Sequence, residues 1–253
     1  MSTLAVIPAR LGATRLPNKP LRLLGGRPLI IRVWERVADM RVADRVVVAT
    51  DSPDVLSVAR EAGAECVLTR DDHPSGTDRV AEVANRPEFA GFDAIVNIQG
   101  DEPFVPESAI RGATEIVTGG RFALGTAANP AGADVLDRPD VVKVVTGDDG
   151  RALYFSRAPI PYLRNQADAA LRASRIRQHI GVYAYTRDAL SAWVALPQHP
   201  LERIERLEQL RPLAAGWAMG VADVADAPLG GIDTEDDLAR ANALWDTITT
   251  GRT

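Results

Sequence analysis

Cysteine is nearly absent from this 253-residue chain, where Cys66 stands alone. That excludes an internal disulfide framework and any cysteine-based zinc site. Histidine is scarce too, with three in all, and no His, Asp and Glu cluster has zinc-ligand spacing. No stretch approaches the ~20 consecutive apolar residues of a membrane span. The first apolar run, "LAVI", is too short for a signal peptide and no basic segment precedes it. The expectation is a soluble cytoplasmic protein that neither enters a membrane nor binds nucleic acid, since the net charge is −5 and nucleic-acid binders carry a basic excess. Two glycine signatures are missing after the first strand, G-x-G-x-x-G and G-x-x-x-x-G-K-[ST]. The G-x-S-x-G elbow is missing as well. A dehydrogenase, a P-loop enzyme and an esterase of the elbow type therefore have no support. Lysine is rare: of 29 Lys and Arg residues, only Lys19 and Lys143 are lysines. A chain that otherwise uses arginine has a mild reason to want a compact ammonium at those two places.

What is present alternates between strand-like and helix-like patterns. "LAVI" (Leu4–Ile7) reads as a strand and "PLIIRVWERVADM" as a helix, with Leu29, Ile30, Val33, Trp34 and Val37 at helical spacing. "RVVVAT" is a buried strand. "SPDVLSVAREAG" is a helix capped by Ser52, with proline in its first turn and Gly63 as its stop. "ECVL", "GTDRVAEVA" and "DAIVNIQ" continue as strand, helix and strand. Such βα units imply an α/β fold with a mostly parallel central sheet. Further on, "VVKVV" and "ALYFS" form a hairpin across "TGDDG", and "HIGVYAY" is a strand. "NQADAALRASR" is a polar connection. "LERIERLEQLRPL" predicts one amphipathic helix, with Leu201, Ile204, Leu207 and Leu210 on one stripe and Glu202, Glu205 and Glu208 on another. A last helix starts near Thr234. Residues 1–253 read as one domain, with residues about 155–215 as an excursion from it.

Four stretches can carry chemistry. "VIPARLGATRLPNKPL" places Arg10, Arg15 and Lys19 just after the first strand, where ligands bind in open α/β folds. The three cations can converge on a polyphosphate, with Gly12 allowing close approach of the backbone; the alternative is a solvated arginine-rich loop. "IVNIQGDEPF" ends a strand in Gln99-Gly100-Asp101-Glu102. An acid there suits Mg²⁺, which takes oxygen ligands from one or two carboxylates plus phosphates; the alternative is an ordinary turn. In "GGIDTEDDL", Asp233 either caps the last helix or supplies a second metal carboxylate opposite Asp101. In "PSGTDRV", Ser75, Thr77 and Arg79 either read a base or ribose or belong to a helix cap. His179 lies beside Tyr183 on a strand and reads as a satisfied half-buried histidine, and Cys66 as inert core.

The order of "IPARLGATRLPNKPL", "ATDS", "SGTDRVAE", "VNIQGDEPF", "VVKVV", "ALYFSRAPIPY", "HIGVYAY", "LERIERLEQLRPL" and "GIDTEDDL" resembles the 3-deoxy-manno-octulosonate cytidylyltransferases, or CMP-Kdo synthetases. The likeness runs from Val6 to about Leu238. It implies the Rossmann-like nucleotide-diphospho-sugar transferase fold and a reaction of CTP with Kdo, giving CMP-Kdo and pyrophosphate with Mg²⁺ as cofactor. Position by position, it implies Arg10, Lys19, Asp101 and Asp233 as catalytic, with Asp101 and Asp233 on the metal. Arg10, Arg15, Lys19, Ser75, Thr77, Arg79 and Gln99 would bind the nucleotide. Arg157, His179, Tyr183, Glu208 and Gln209 would bind the sugar acid, which needs a cation for its carboxylate and polar groups for its hydroxyls. It further implies a homodimer that supplies Kdo for lipopolysaccharide. The same fold leaves open 8-amino-Kdo or a sialic-acid-like sugar as substrate, and a non-catalytic nucleotide-binding regulator. Two loop positions depart from the usual family pattern: Ala13 stands where Ser is common before the Thr, and Asn18 where Gly is common before the Lys. Asp78 also replaces a common Glu.

Overall fold

A computed structural model describes residues 1–12 and 15–250. Ala13, one of the two loop departures, and its neighbour Thr14 lie outside the described residues. The chain groups into two compact units, one of Ser2–Asp93, Asn97–Val105 and Leu229–Thr253, the other of Met1, Ala94–Val96 and Pro106–Pro228.

The first unit opens with β1 (Thr3–Ala9), in which Leu4, Ala5, Val6 and Ile7 are all fully buried. An unbroken apolar run of this kind is what a strand covered on both faces requires. Two short strands, β2 (Leu23–Leu24) and β3 (Arg27–Pro28), form a hairpin that leads into α1 (Leu29–Met40). Next come β4 (Arg45–Thr50), α2 (Pro53–Glu61), β5 (Cys66–Leu68) and α3 (Gly76–Ala84). Strands β1, β4 and β5 pair in parallel, Leu4 opposite Arg45 and Val48 opposite Cys66. Ser52 caps α2 by accepting from the Val55 N–H at 3.3 Å, as its sequence signature implies. The Cys66 thiol is buried, and desolvation pushes its pKa up to about 11; it is inert core.

The chain then makes β6 (Ala94–Asn97), buried throughout. Beyond it, the Ile98 N–H donates to the Val6 carbonyl at 3.1 Å. Gly100 is required by this approach, because a Cβ there would lie 2.6 Å from the Pro8 carbonyl oxygen.

The second unit holds α4 (Glu107–Thr118), β7 (Leu124–Pro130), β8 (Lys143–Thr146), β9 (Ala152–Ser156) and α5 (Ala169–Ala173). It continues with β10 (Arg177–Thr186), α6 (Arg187–Ala195), α7 (Pro200–Glu205), α8 (Leu210–Ala214) and β11 (Gly220–Asp223). Strand β11 runs parallel to β7, whereas β7–β10, β10–β8 and β8–β9 are antiparallel. The β8–β9 hairpin turns through Gly150 at φ 80°, and Lys143 pairs with Ser156 across it. The 155–215 stretch lies wholly inside this unit.

The predicted amphipathic helix over "LERIERLEQLRPL" is not continuous. It breaks after α7 at Arg206, which adopts the left-handed conformation (φ 56°, ψ 46°), and resumes at α8. Leu207 and Leu210 are buried while Ile204 is 76% exposed, so the leucine stripe does not share one face. The cause is a contact across the break: Glu202 is buried and pairs with the Arg211 guanidinium nine residues on, at 2.6 and 2.8 Å, which a continuous helix would not allow.

The last helix, α9 (Glu235–Thr250), returns to the first unit. Its Asn242 accepts from the Gly25 N–H at 2.9 Å and donates to the Leu23 carbonyl at 3.1 Å. Arg22 donates twice to the Glu235 carboxylate, at 2.5 and 2.7 Å. The start of α9 is thereby tied to the segment just after Lys19.

Candidate active site

In the first unit, the loop after β1 reaches a single 3₁₀ turn, Lys19–Leu21. Asn18 precedes it at φ 55°, ψ 31°. Glycine reaches this left-handed region freely, and asparagine is among the side-chain-bearing residues that tolerate it best. The departure at position 18 thus keeps the backbone conformation. The turn directs Lys19 inward, where its ammonium donates to Asp101 Oδ2 at 2.5 Å and to Asp233 Oδ1 at 2.9 Å. Arg15 donates to the other oxygen of Asp233 at 2.9 Å and is 67% exposed. Arg10 is exposed just beyond β1.

Asp233 reaches Lys19 because it is not the cap of α9. Thr234 Oγ1 accepts from the Asp237 N–H at 3.2 Å, and Asp237 Oδ2 accepts from the N–H groups of Asp233 and Thr234 at 3.1 and 2.9 Å. With that reciprocal cap in place, the Asp233 side chain is left for the loop. Its backbone is fixed by the Ile232 N–H, which donates to the Asp101 carbonyl at 2.9 Å. Glu102 stands beside the pair, and burial, followed by the charges of Asp101 and Asp233, raises its pKa to about 8. Burial alone would lower the pKa of Lys19; the Coulombic pull of Asp101 and the hydrogen bonds of both aspartates raise it. Three carboxyl groups therefore gather about one ammonium, and Arg15 adds a second cation on Asp233.

Ser75 is engaged at the start of α3, donating to Asp78 Oδ2 at 2.6 Å and accepting from the Asp78 N–H at 3.3 Å. Thr77 is buried. Arg79 is buried as well, with its guanidinium on Asp51 at 2.8 Å, on the Arg70 carbonyl at 3.2 Å and on Thr69 Oγ1. Asp51, at the tip of β4, is its counterion and was not singled out from the sequence. Gln99 is half-buried in the segment that carries Asp101.

In the second unit, the ring of His179 lies 5.5 Å from that of Tyr183 and 4.9 Å from that of Phe155. Thr126 Oγ1 is 2.7 Å from the Val182 carbonyl and 2.9 Å from His179 Nε2. A carbonyl cannot donate, so the single hydroxyl proton goes to Val182 and His179 carries its own proton on Nε2. Burial lowers the His179 pKa to about 3. The imidazole is therefore a neutral hydrogen-bonding group and not a proton carrier at neutral pH. Desolvation raises the Tyr183 phenol well above its ordinary value, with Tyr185 and Glu208 adding to the shift. Gln209 is buried, and its Nε2 has no hydrogen-bond partner among the described residues. A buried amide donor in that state calls for a ligand or an ordered water.

Arg157 sits at the end of β9. Its Nε donates to the Glu205 carbonyl at 2.9 Å and its Nη1 to the Pro139 carbonyl at 2.8 Å. Glu205 also accepts from Ser156 Oγ at 2.6 Å and from the Arg157 N–H at 3.0 Å. The sequence marks Glu205 only as part of a solvated stripe, because its partners lie 48 and 49 positions earlier.

The desolvated, neutral histidine has a measurable consequence. The unfolded chain takes up a proton near the ordinary His pKa and the folded chain does not, so stability present above that pKa is lost as pH falls toward 3. Between pH 7 and pH 5 the wild type is expected to lose about 2 kcal/mol more than His179→Gln. Calorimetric unfolding of both proteins at the two pH values checks this; equal losses would contradict it.

Among the described residues, no three His, Cys, Asp or Glu side chains are grouped to hold a metal by themselves. No helix among them is long and apolar enough to cross a membrane.

A family model described as cytidylyltransferase matches residues 4–219. A 3-deoxy-manno-octulosonate cytidylyltransferase of Gemmatimonas aurantiaca is 64% identical over 248 residues, covering 98% of this chain and 96% of that protein. One of the same name from Polynucleobacter asymbioticus is 45% identical over 246 residues, covering 95% and 94%. The solved structure of a CMP:2-keto-3-deoxy-manno-octonic acid synthetase complexed with CTP superposes with a TM-score of 0.89 at 37% identity, covering 98% of this chain and all (100%) of that one. The inositol-1-phosphate CTP transferase of T. maritima, at 17% identity and a TM-score of 0.66 over 99% of this chain and 97% of that one, shares the fold. The resemblance read from the nine sequence segments is thereby established: the chain belongs to the 3-deoxy-manno-octulosonate cytidylyltransferase family.

Proposed function

We propose that the protein carries out the reaction for which its family is named, joining CTP to 3-deoxy-D-manno-octulosonate to give CMP-Kdo and pyrophosphate. The observation that carries this assignment of roles is the Lys19 ammonium held between Asp101 and Asp233. The anomeric hydroxyl oxygen of Kdo attacks the α-phosphorus of CTP, and the bond to the β-phosphate breaks. No covalent enzyme intermediate is needed, so the protein contributes positioning and charge neutralisation.

Lys19, Arg10 and Arg15 bind the triphosphate and offset the charge that grows on the departing pyrophosphate. Ser75, Thr77 and Gln99 lie at the cytidine, and Arg79, neutralised by Asp51, holds the start of α3 in place. The all-oxygen donor set of the two aspartates fits Mg²⁺. Asp101 and Asp233 would hold it, and when bound it neutralises phosphate charge. Arg157 pairs with the Kdo carboxylate, and its fit rests on how it is anchored: both protein acceptors of its guanidinium are neutral carbonyls, which leave its charge for the ligand. His179 Nδ1, Tyr183, Glu208 and the partnerless Nε2 of Gln209 take the sugar hydroxyls.

The product supplies Kdo to lipopolysaccharide. We place the enzyme in the cytoplasm, where CTP is available. We also read it as a homodimer, a reading supported by the exposed apolar side chains of Tyr162, Leu171 and Ile204.

Pyrophosphate release with CTP, Mg²⁺ and a panel of sugar acids tests the assignment. Release is expected with Kdo, lost with EDTA and much weaker with UTP. Release only with 8-amino-Kdo or N-acetylneuraminate would move the error to the residues around His179 and Glu208. No release with any of them would return the chain to a nucleotide-binding regulator.

A further inference from the structure

Lys143, the second lysine of a chain built almost wholly on arginine, is fully buried at the start of β8. Among the described residues no carboxylate forms a salt bridge with it, although Asp140, Glu205 and Asp137 act on it at longer range. Its ammonium instead donates to three backbone carbonyls: Arg138 at 2.9 Å, Val141 at 2.7 Å and Arg157 at 2.6 Å. Three donors meet three acceptors, which a compact ammonium can do and a planar guanidinium cannot. The strand register adds to this, because residue 143 pairs with Ser156 on one side and Gln178 on the other, and the His179 N–H donates to the Val142 carbonyl at 2.8 Å. Arg157 is therefore held at both ends of its backbone, its N–H by Glu205 and its carbonyl by Lys143. The Pro139 carbonyl that orients its guanidinium lies in the 138–141 segment that Lys143 also ties down.

We infer that Lys143 is a positioning residue for the sugar acid: it fixes the peptide and anchoring loop of Arg157, and touches neither substrate. This rests on Arg157 being the carboxylate-binding residue. It also accounts for a lysine where the chain otherwise uses arginine.

The test measures KM for both substrates in Lys143→Met, Lys143→Arg and Arg157→Met. Both Lys143 variants are expected to raise KM for Kdo by about tenfold to a hundredfold while leaving KM for CTP unchanged. An unchanged KM for Kdo in Arg157→Met would overturn the sugar-site reading itself. A raised KM there, with wild-type values in both Lys143 variants, would overturn this inference alone. Should the Lys143 variants fail to fold, the wild type decides. With only two lysines, ¹⁵Nζ-lysine labelling gives two ammonium resonances. The slowly exchanging one, Lys143, is expected to shift when Kdo is added to protein saturated with a methylene-bridged α,β analogue of CTP. No shift on Kdo saturation would overturn the proposal.

Discussion

Replacing Lys19 with methionine is expected to lower turnover by about 10²–10³-fold, the scale on which one preorganised charged donor acts in a water-poor site. The variant keeps the apolar stem of the side chain and removes the ammonium that joins Asp101 to Asp233. Two carboxylates then face one another with Glu102 beside them, and like charges in such a setting raise one another's proton affinity. The unliganded variant should therefore melt below the wild type. It should also regain more stability from added Mg²⁺ than the wild type does, since the exposed Arg15 guanidinium on Asp233 is then left to offset the cluster without Lys19. Thermal unfolding with and without Mg²⁺, alongside pyrophosphate release, measures both effects. Unchanged turnover with unchanged CTP affinity would return the loop after β1 to a solvated arginine-rich segment.

Asp101→Asn should reduce turnover by a similar factor, about 10²-fold or more, for a different reason. The amide still accepts a hydrogen bond from Lys19, so the fold is expected to survive. The charge that would draw a divalent cation is halved, leaving Asp233 as the remaining anionic partner of Lys19. The loss should be deepest at low Mg²⁺ and should shrink, without vanishing, as Mg²⁺ is raised. Near-wild-type rates at saturating Mg²⁺ would remove Asp101 from the metal site. Circular dichroism of the variant separates that outcome from unfolding.

Much of this architecture was legible because its signals are local. The buried run in β1, the Ser52 cap, the β8–β9 hairpin and the inert Cys66 each follow from a few neighbouring residues. The features that escaped notice are set by partners far away in sequence. The helix break at Arg206 is the nearer case, since it depends on Glu202 meeting Arg211 nine residues on, a pairing that helical periodicity does not reveal. The anchor role of Glu205 depends on Ser156 and Arg157, and the neutralisation of Arg79 depends on Asp51. Asp233 is the instructive case. From sequence, an acid just before a helix reads equally as a cap or a ligand, and only the Thr234–Asp237 pair decides that the cap is made without it.

Under the proposed function labour is divided, with Lys19 serving the triphosphate and Arg157 the sugar acid. The most direct test of this division is the pair of KM values, for CTP and for Kdo, measured in Lys19→Met and in Arg157→Met. A crossed result is expected: Lys19→Met impairs kcat/KM for CTP and leaves KM for Kdo near wild type, whereas Arg157→Met raises KM for Kdo and spares that for CTP. Variants that move both constants together, or that move the opposite one, would contradict it.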